Sequence, residues 1–215
     1  MPDVVLELNT VNELASLTGF SITNIRSGLD ACGIDVLFEI DGRPAGAQHT
    51  TYHWDEGATA GKRGSPARAK EQKISRNVTP YPMSVNPHYR PALRRCVDKK
   101  IEKAAAYDNQ DLETWLVISA CLGRWGSLGS TMMVPDMLGA EDLNELCHAQ
   151  LAASKFERAY LLLHINRIVW GWDRLKRWRL LADPDAAGRR EHRERMSDLI
   201  FNRIPADFRA RTKRP

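Results

Sequence analysis

The chain reads as an α+β protein. A helical pair and a β-hairpin come first, and a mixed helix-and-strand unit follows. Three observations predict this. Apolar residues recur at spacings of three and four through residues 10–29. Two strand-like runs flank Asp41-Gly42. After Pro91, apolar stretches of helical period alternate with short β-branched and aromatic runs. Those two periodicities separate helix from strand in a sequence.

The elements follow in order. Thr10 and Glu13 have capping-box spacing, so a helix is expected to start there. Leu14, Ala15 and Leu17 give it an apolar face, and Gly19 can take the positive φ of a tight turn. Ser21 can cap a second helix, with Ile22, Ile25 and Leu29 along one side and Thr23, Asn24, Arg26 and Ser27 on the other. Residues 34–40 read as a strand, Asp41-Gly42 as a hairpin turn, and residues 46–52 as the returning strand. Residues 57–91 carry seven Lys and Arg, one acid (Glu71) and five of the 11 prolines. They read as a basic linker with one short helix around residues 67–75. Beyond it, Leu93, Val97, Ile101 and Ala104 mark a helix, residues 114–119 a buried strand, and residues 140–153 a second helix. Three strands are expected near residues 159–164, 167–172 and 178–181, then a basic helix over 189–201. The regions expected are therefore 1–56, 57–91 and 92–215.

Composition narrows the function classes. The chain has 215 residues, 43% of them hydrophobic, which suffices for a substantial core. Net charge is +4, with 13 Lys and Arg against 6 Asp and Glu in residues 174–215 alone. Such a segment is either a source of phosphate contacts or a solvated helix with interleaved charges. Cys32, Cys96, Cys121 and Cys147 form no CxxC pair, which argues against structural zinc and fits reduced thiols in a cytoplasmic protein. No signal-peptide pattern or membrane-length apolar run is seen, so no membrane partner is expected. Trp170 and Trp172 share a strand face that reads as core or as a homodimer interface.

Thr10, Glu13, Leu14, Ala15, Leu17, Thr18, Gly19, Ser21, Ile25, Arg26 and Gly33 together resemble the helix-turn-helix of the MerR and excisionase-like regulators. Ser27 and Gly28 stand where that family has its Tyr pair. The resemblance implies a DNA-binding protein whose partner is double-stranded DNA and which needs no cofactor. Its reading helix would present Ser21, Thr23, Asn24 and Arg26 to the bases, and the hairpin would act as a wing. Asn and Arg can each make bidentate contacts to base edges. Paired half-sites would suit a homodimer.

The hairpin supports a rival reading. Asp35 on one strand and Gln48-x-Thr50 on the next resemble the active-site hairpin of the PD-(D/E)XK nuclease superfamily, in a restriction-endonuclease-like core spanning residues 34–120. The resemblance implies Mg²⁺ held by Asp35 and Gln48, with Gln48 in the place of the second acid and Thr50 in the place of the lysine. Two acidic oxygens hold such a metal in that chemistry, and a lysine positions the attacking water. Glu13 or Glu71 would complete the site. An inactive nuclease-like binding protein is the third reading. His49, His53, Asp55 and Glu56 make a weaker metal-binding set. Residues 57–65 have the wrong spacing for a P-loop, but Lys62, Arg63 and Arg68 can touch DNA phosphates.

Overall fold

A computed structural model describes residues 2–28, 33–52, 89–105, 112–120, 139–164, 167–188 and 190–191. The chain is α+β. A seven-stranded mixed sheet has helices on both faces. In chain order the elements are α1 (Pro2–Thr18), β1 (Ile22–Ser27), β2 (Val36–Ile40), β3 (Arg43–Tyr52), α2 (Tyr89–Ala105) and β4 (Glu113–Ala120). A broken helix, α3, covers residues 140–152 and widens to a π turn over Asn144–His148. β5 (Arg158–Leu163), β6 (Ile168–Asp173) and β7 (Arg177–Ala182) follow. The strands lie side by side in sequence order. β3, β4 and β5 are mutually parallel, and every other neighbouring pair is antiparallel. Helical crossovers account for this, since parallel neighbours need a long connection and hairpins do not.

Each face of the sheet has its own core. Val11 and Leu14 of α1 pack on Val36, Phe38, Ala45, Ala47, Trp115, Val117 and Leu162. Leu93 and Val97 of α2, with Leu143, Cys147 and Leu151 of α3, pack on Leu116, Ile118, Leu161, Trp170 and Trp172. Alternation along the strands decides which residue serves which face. Trp115 anchors the first core, with ring centroids 4.8 Å from Phe38 and 4.9 Å from Tyr160, and the Arg158 guanidinium 5.5 Å above it. Trp170, Trp172 and Trp178 all lie in the second core, so the tryptophan stripe is interior packing. Cys147 is buried there too, and burial pushes its thiol up to about 12, which makes it unreactive.

Two expectations are corrected. Thr10 does not start a helix. It lies within α1, and its hydroxyl donates to the Leu6 carbonyl at 2.8 Å. The second helix expected at residues 21–29 is not formed, because residues 22–27 make strand β1. The cause is a β-bulge. Asn24 takes φ +54, and the β1–β2 register shifts between Thr23 and Arg26. One extra residue places Ile22 and Ile25 on the same face, against the α1 core. A spacing of three thus imitates a helix. Gly28 closes the strand where a side chain would strike the Ile34 carbonyl.

The hairpin around Asp41-Gly42, with both residues at positive φ, forms as expected, as do α2, β4 and the later strands. The first and third regions of the chain are not separate units. β3 and β4 are adjacent in one sheet, and residues 1–182 form one compact unit. A second unit begins at Asp183. The expected linker helix and most of the terminal basic helix lie outside the described residues. Among those described, no helix is long and apolar enough to cross a membrane.

Candidate functional site

β2 and β3 diverge at Asp35. Val36 pairs with Ala47, so Asp35 stands opposite Gln48, and β3 then continues to Tyr52 without β2 beside it. The Asp35 carboxylate takes over where the strand stops: its Oδ2 accepts the His49 backbone N–H at 2.6 Å. Ala45 and Ala47 face α1, while Tyr52 faces α2. Gln48 and Thr50 therefore point toward α2 by strand alternation.

On that side α2 supplies two side chains one turn apart. Cys96 Sγ meets Thr50 Oγ1 at 3.6 Å, and Lys100 Nζ reaches Asp35 Oδ2 at 3.5 Å. Asp35 keeps 29% of its side chain exposed and Lys100 19%, so both are accessible from solvent. Gln48 is 1% exposed, and its Nε2 is buried with no hydrogen-bond partner among the described residues. A buried amide left in that condition costs about 1–3 kcal/mol, a state it shares among the described residues with the ring nitrogens His164 Nε2, Trp170 Nε1 and Trp178 Nε1.

Asp35 and Gln48, singled out from the sequence, are thus adjacent. Thr50 sits beside them but offers only a hydroxyl. The ammonium expected next to the acid comes from Lys100, which the sequence reading missed. Its one local signal was placement four residues after Cys96 and between Val97 and Ala104, on the side of α2 that packs on the sheet. Glu13, considered as a completing acid, is elsewhere. It lies on α1, across the sheet, with its Oε2 2.6 Å from His164 Nδ1. His49 also points to the α1 side, where its Nε2 meets Ser119 Oγ at 2.7 Å.

Thr23, Asn24 and Arg26 are exposed, but on edge strand β1 and not on a helix, and exposed Ser21 precedes that strand. Lys62, Arg63, Arg68, Glu71, His53, Asp55 and Glu56 lie outside the described residues.

The donor set sets the metal chemistry open to this site. Among the described residues, no three His, Cys, Asp or Glu side chains gather as metal ligands. One carboxylate and one amide oxygen on neighbouring strands suit a hard divalent ion that retains most of its water, as Mg²⁺ does. They do not suit zinc, which takes four N, S or O protein donors in closed sites. Comparison with known proteins yields no match for this chain among family models, curated proteins or solved structures.

Proposed function

We propose that this protein acts on nucleic acid as a metal-dependent phosphodiesterase, with Asp35, Gln48 and Lys100 as its reacting groups. The observation that carries this reading is the Asp35–Lys100 ion pair beside Gln48, the residue opposite Asp35 where β2 and β3 part. The nuclease resemblance of the hairpin implies a helix, the hairpin, a helix near residues 67–75 and a strand over residues 114–119; that second helix lies outside the described residues, while β4 is present and parallel to β3.

Phosphodiester hydrolysis needs negative charge neutralised on the phosphate and a water oriented for attack. The His49 N–H holds the Asp35 carboxylate in one orientation. Asp35 and Gln48 would hold Mg²⁺, which supplies Lewis-acid polarisation of the phosphate and a more acidic water. Lys100 carries a positive charge beside the carboxylate and can bind a non-bridging phosphate oxygen. Water attacks phosphorus and forms the new O–P bond, giving up its proton to solvent, while the bridging P–O bond breaks and solvent protonates the leaving oxygen.

A second reading has its own support. Gln48 carries no charge where the nuclease pattern has an acid, and Lys100 already neutralises Asp35. That favours a protein that binds double-stranded DNA without cutting it. Plasmid incubated with the purified protein in Mg²⁺ or Mn²⁺ separates the two readings. Nicking that disappears with Asp35→Ala supports the phosphodiesterase. Duplex binding with no cleavage in any divalent metal supports the binder.

A further inference from the structure

β6 and β7 end in a short basic hairpin whose tip carries an apolar side chain. The turn runs Arg174-Leu175-Lys176, and Arg177 opens β7 at φ +58. Leu175 is 93% exposed, and Arg174, Lys176 and Arg177 around it are exposed as well. An isolated surface leucine is ordinary. A leucine held at a rigid tip among three cations is a different object.

Asp173 makes the tip rigid. Its Oδ1 accepts the backbone N–H of Leu175 at 3.1 Å and of Lys176 at 2.6 Å, and its Oδ2 accepts from Arg179 Nη1 at 2.8 Å. Arg174 is tied back as well, donating from Nη2 to the Ser154 carbonyl at 2.8 Å. The tip therefore has little left to order when it meets a partner, which lowers the entropic cost of binding. Beside it, an open groove is lined by Lys155, Arg158, Lys176 and Arg179, with Glu157 and Asp173 as its acids.

Strand register relates this hairpin to the candidate site. Asp35, Gln48, Leu116, Ala159, Trp172 and Trp178 follow one another across the sheet. The hairpin tip lies just beyond Trp172. Four strand spacings separate β2 from β6, or about 19 Å at 4.8 Å each. At about 3.4 Å per nucleotide along one strand, that is five to six nucleotides of duplex.

We propose that the β6–β7 hairpin is a duplex-binding element, with Arg174, Lys176 and Arg177 on the phosphates and Leu175 inserted as a wedge at a base step in the minor groove. Apolar wedges flanked by cations unstack base steps and kink DNA in this way. The proposal concerns binding and holds whether or not Asp35 supports cleavage.

Anisotropy of a labelled 20-base-pair duplex, titrated with full-length protein at several salt concentrations, tests it. Lys176→Glu is expected to weaken binding about tenfold and to flatten the log–log salt slope by about one. Leu175→Ala is expected to keep the slope and to abolish the bend read by end-to-end energy transfer. Leu175 is exposed, so that variant keeps its fold. Arg43→Glu, an equal charge reversal at the exposed β2–β3 turn, is the control. Equal weakening by Arg43→Glu, an unchanged affinity in Lys176→Glu, or hairpin-dependent binding to phosphatidylserine vesicles without duplex binding would each overturn the proposal.

Discussion

Asp35 and Asp173 are two carboxylates in similar settings with different work to do. Both accept a backbone N–H at 2.6 Å, and both face a cation. Asp173 is saturated. It takes two backbone N–H groups on one oxygen and the Arg179 guanidinium on the other. Burial opposes its charge, but the hydrogen bonds from Lys176, Arg179 and Leu175 win and hold its carboxyl below the usual value. Asp35 takes one backbone N–H and a longer contact from Lys100, both on Oδ2, and it lies beside a buried Gln48 whose Nε2 has no partner among the described residues. A fully engaged carboxylate builds structure. One with spare acceptor capacity beside an unsatisfied amide is available for a ligand.

Substitutions can break this comparison at several levels. After Asp35 itself, the largest effect is expected at Lys100. Lys100→Met should reduce cleavage about 100-fold if the ammonium neutralises the phosphate, with Lys100→Arg recovering part of it. Initial rates on plasmid, read beside melting curves, would show a loss of activity without a matching loss of fold.

At Asp173 the effect falls on stability. Asp173→Ala strips the tip of its acceptors and should cost about 1–3 kcal/mol, measured by chemical denaturation. The pH dependence has a definite sign. The folded carboxyl titrates below its unfolded value, so its contribution is complete above about pH 4. It is lost as pH falls through the folded value. The gap between wild type and Asp173→Ala should therefore narrow on acidification. A constant gap would mean that the carboxylate charge is irrelevant to the tip.

Gln48 gives the smallest shift in stability. Gln48→Leu removes a buried unpaired donor and should change unfolding free energy by no more than about 1 kcal/mol, while cleavage falls. A large destabilisation would place Gln48 among the structural polar groups, with Asp173.

Much of the fold was legible because its signals are local. The Asp41-Gly42 turn, the apolar stripe of α2 and the short runs that become β4 to β7 all announce themselves within ten residues. β1 was not legible, because the bulge at Asn24 converts a strand's period of two into a spacing of three. Half of the candidate site was visible. Asp35 and Gln48 are brought together by the hairpin, whereas Lys100 lies 65 residues from Asp35 and meets it only once α2 packs on the sheet. The role of Asp173 was hidden for a different reason: an Asp before a turn is common, and only the bonds to Leu175, Lys176 and Arg179 reveal how completely it is used.

The most direct test places Asp35→Asn beside Asp173→Asn and measures metal-dependent plasmid cleavage and melting temperature in each. Asparagine keeps an acceptor for the His49 N–H and removes the charge. The account predicts that Asp35→Asn loses cleavage at an unchanged melting temperature, and that Asp173→Asn keeps cleavage and melts earlier. Wild-type cleavage in Asp35→Asn, or loss of cleavage in both variants in step with their stability, would contradict it.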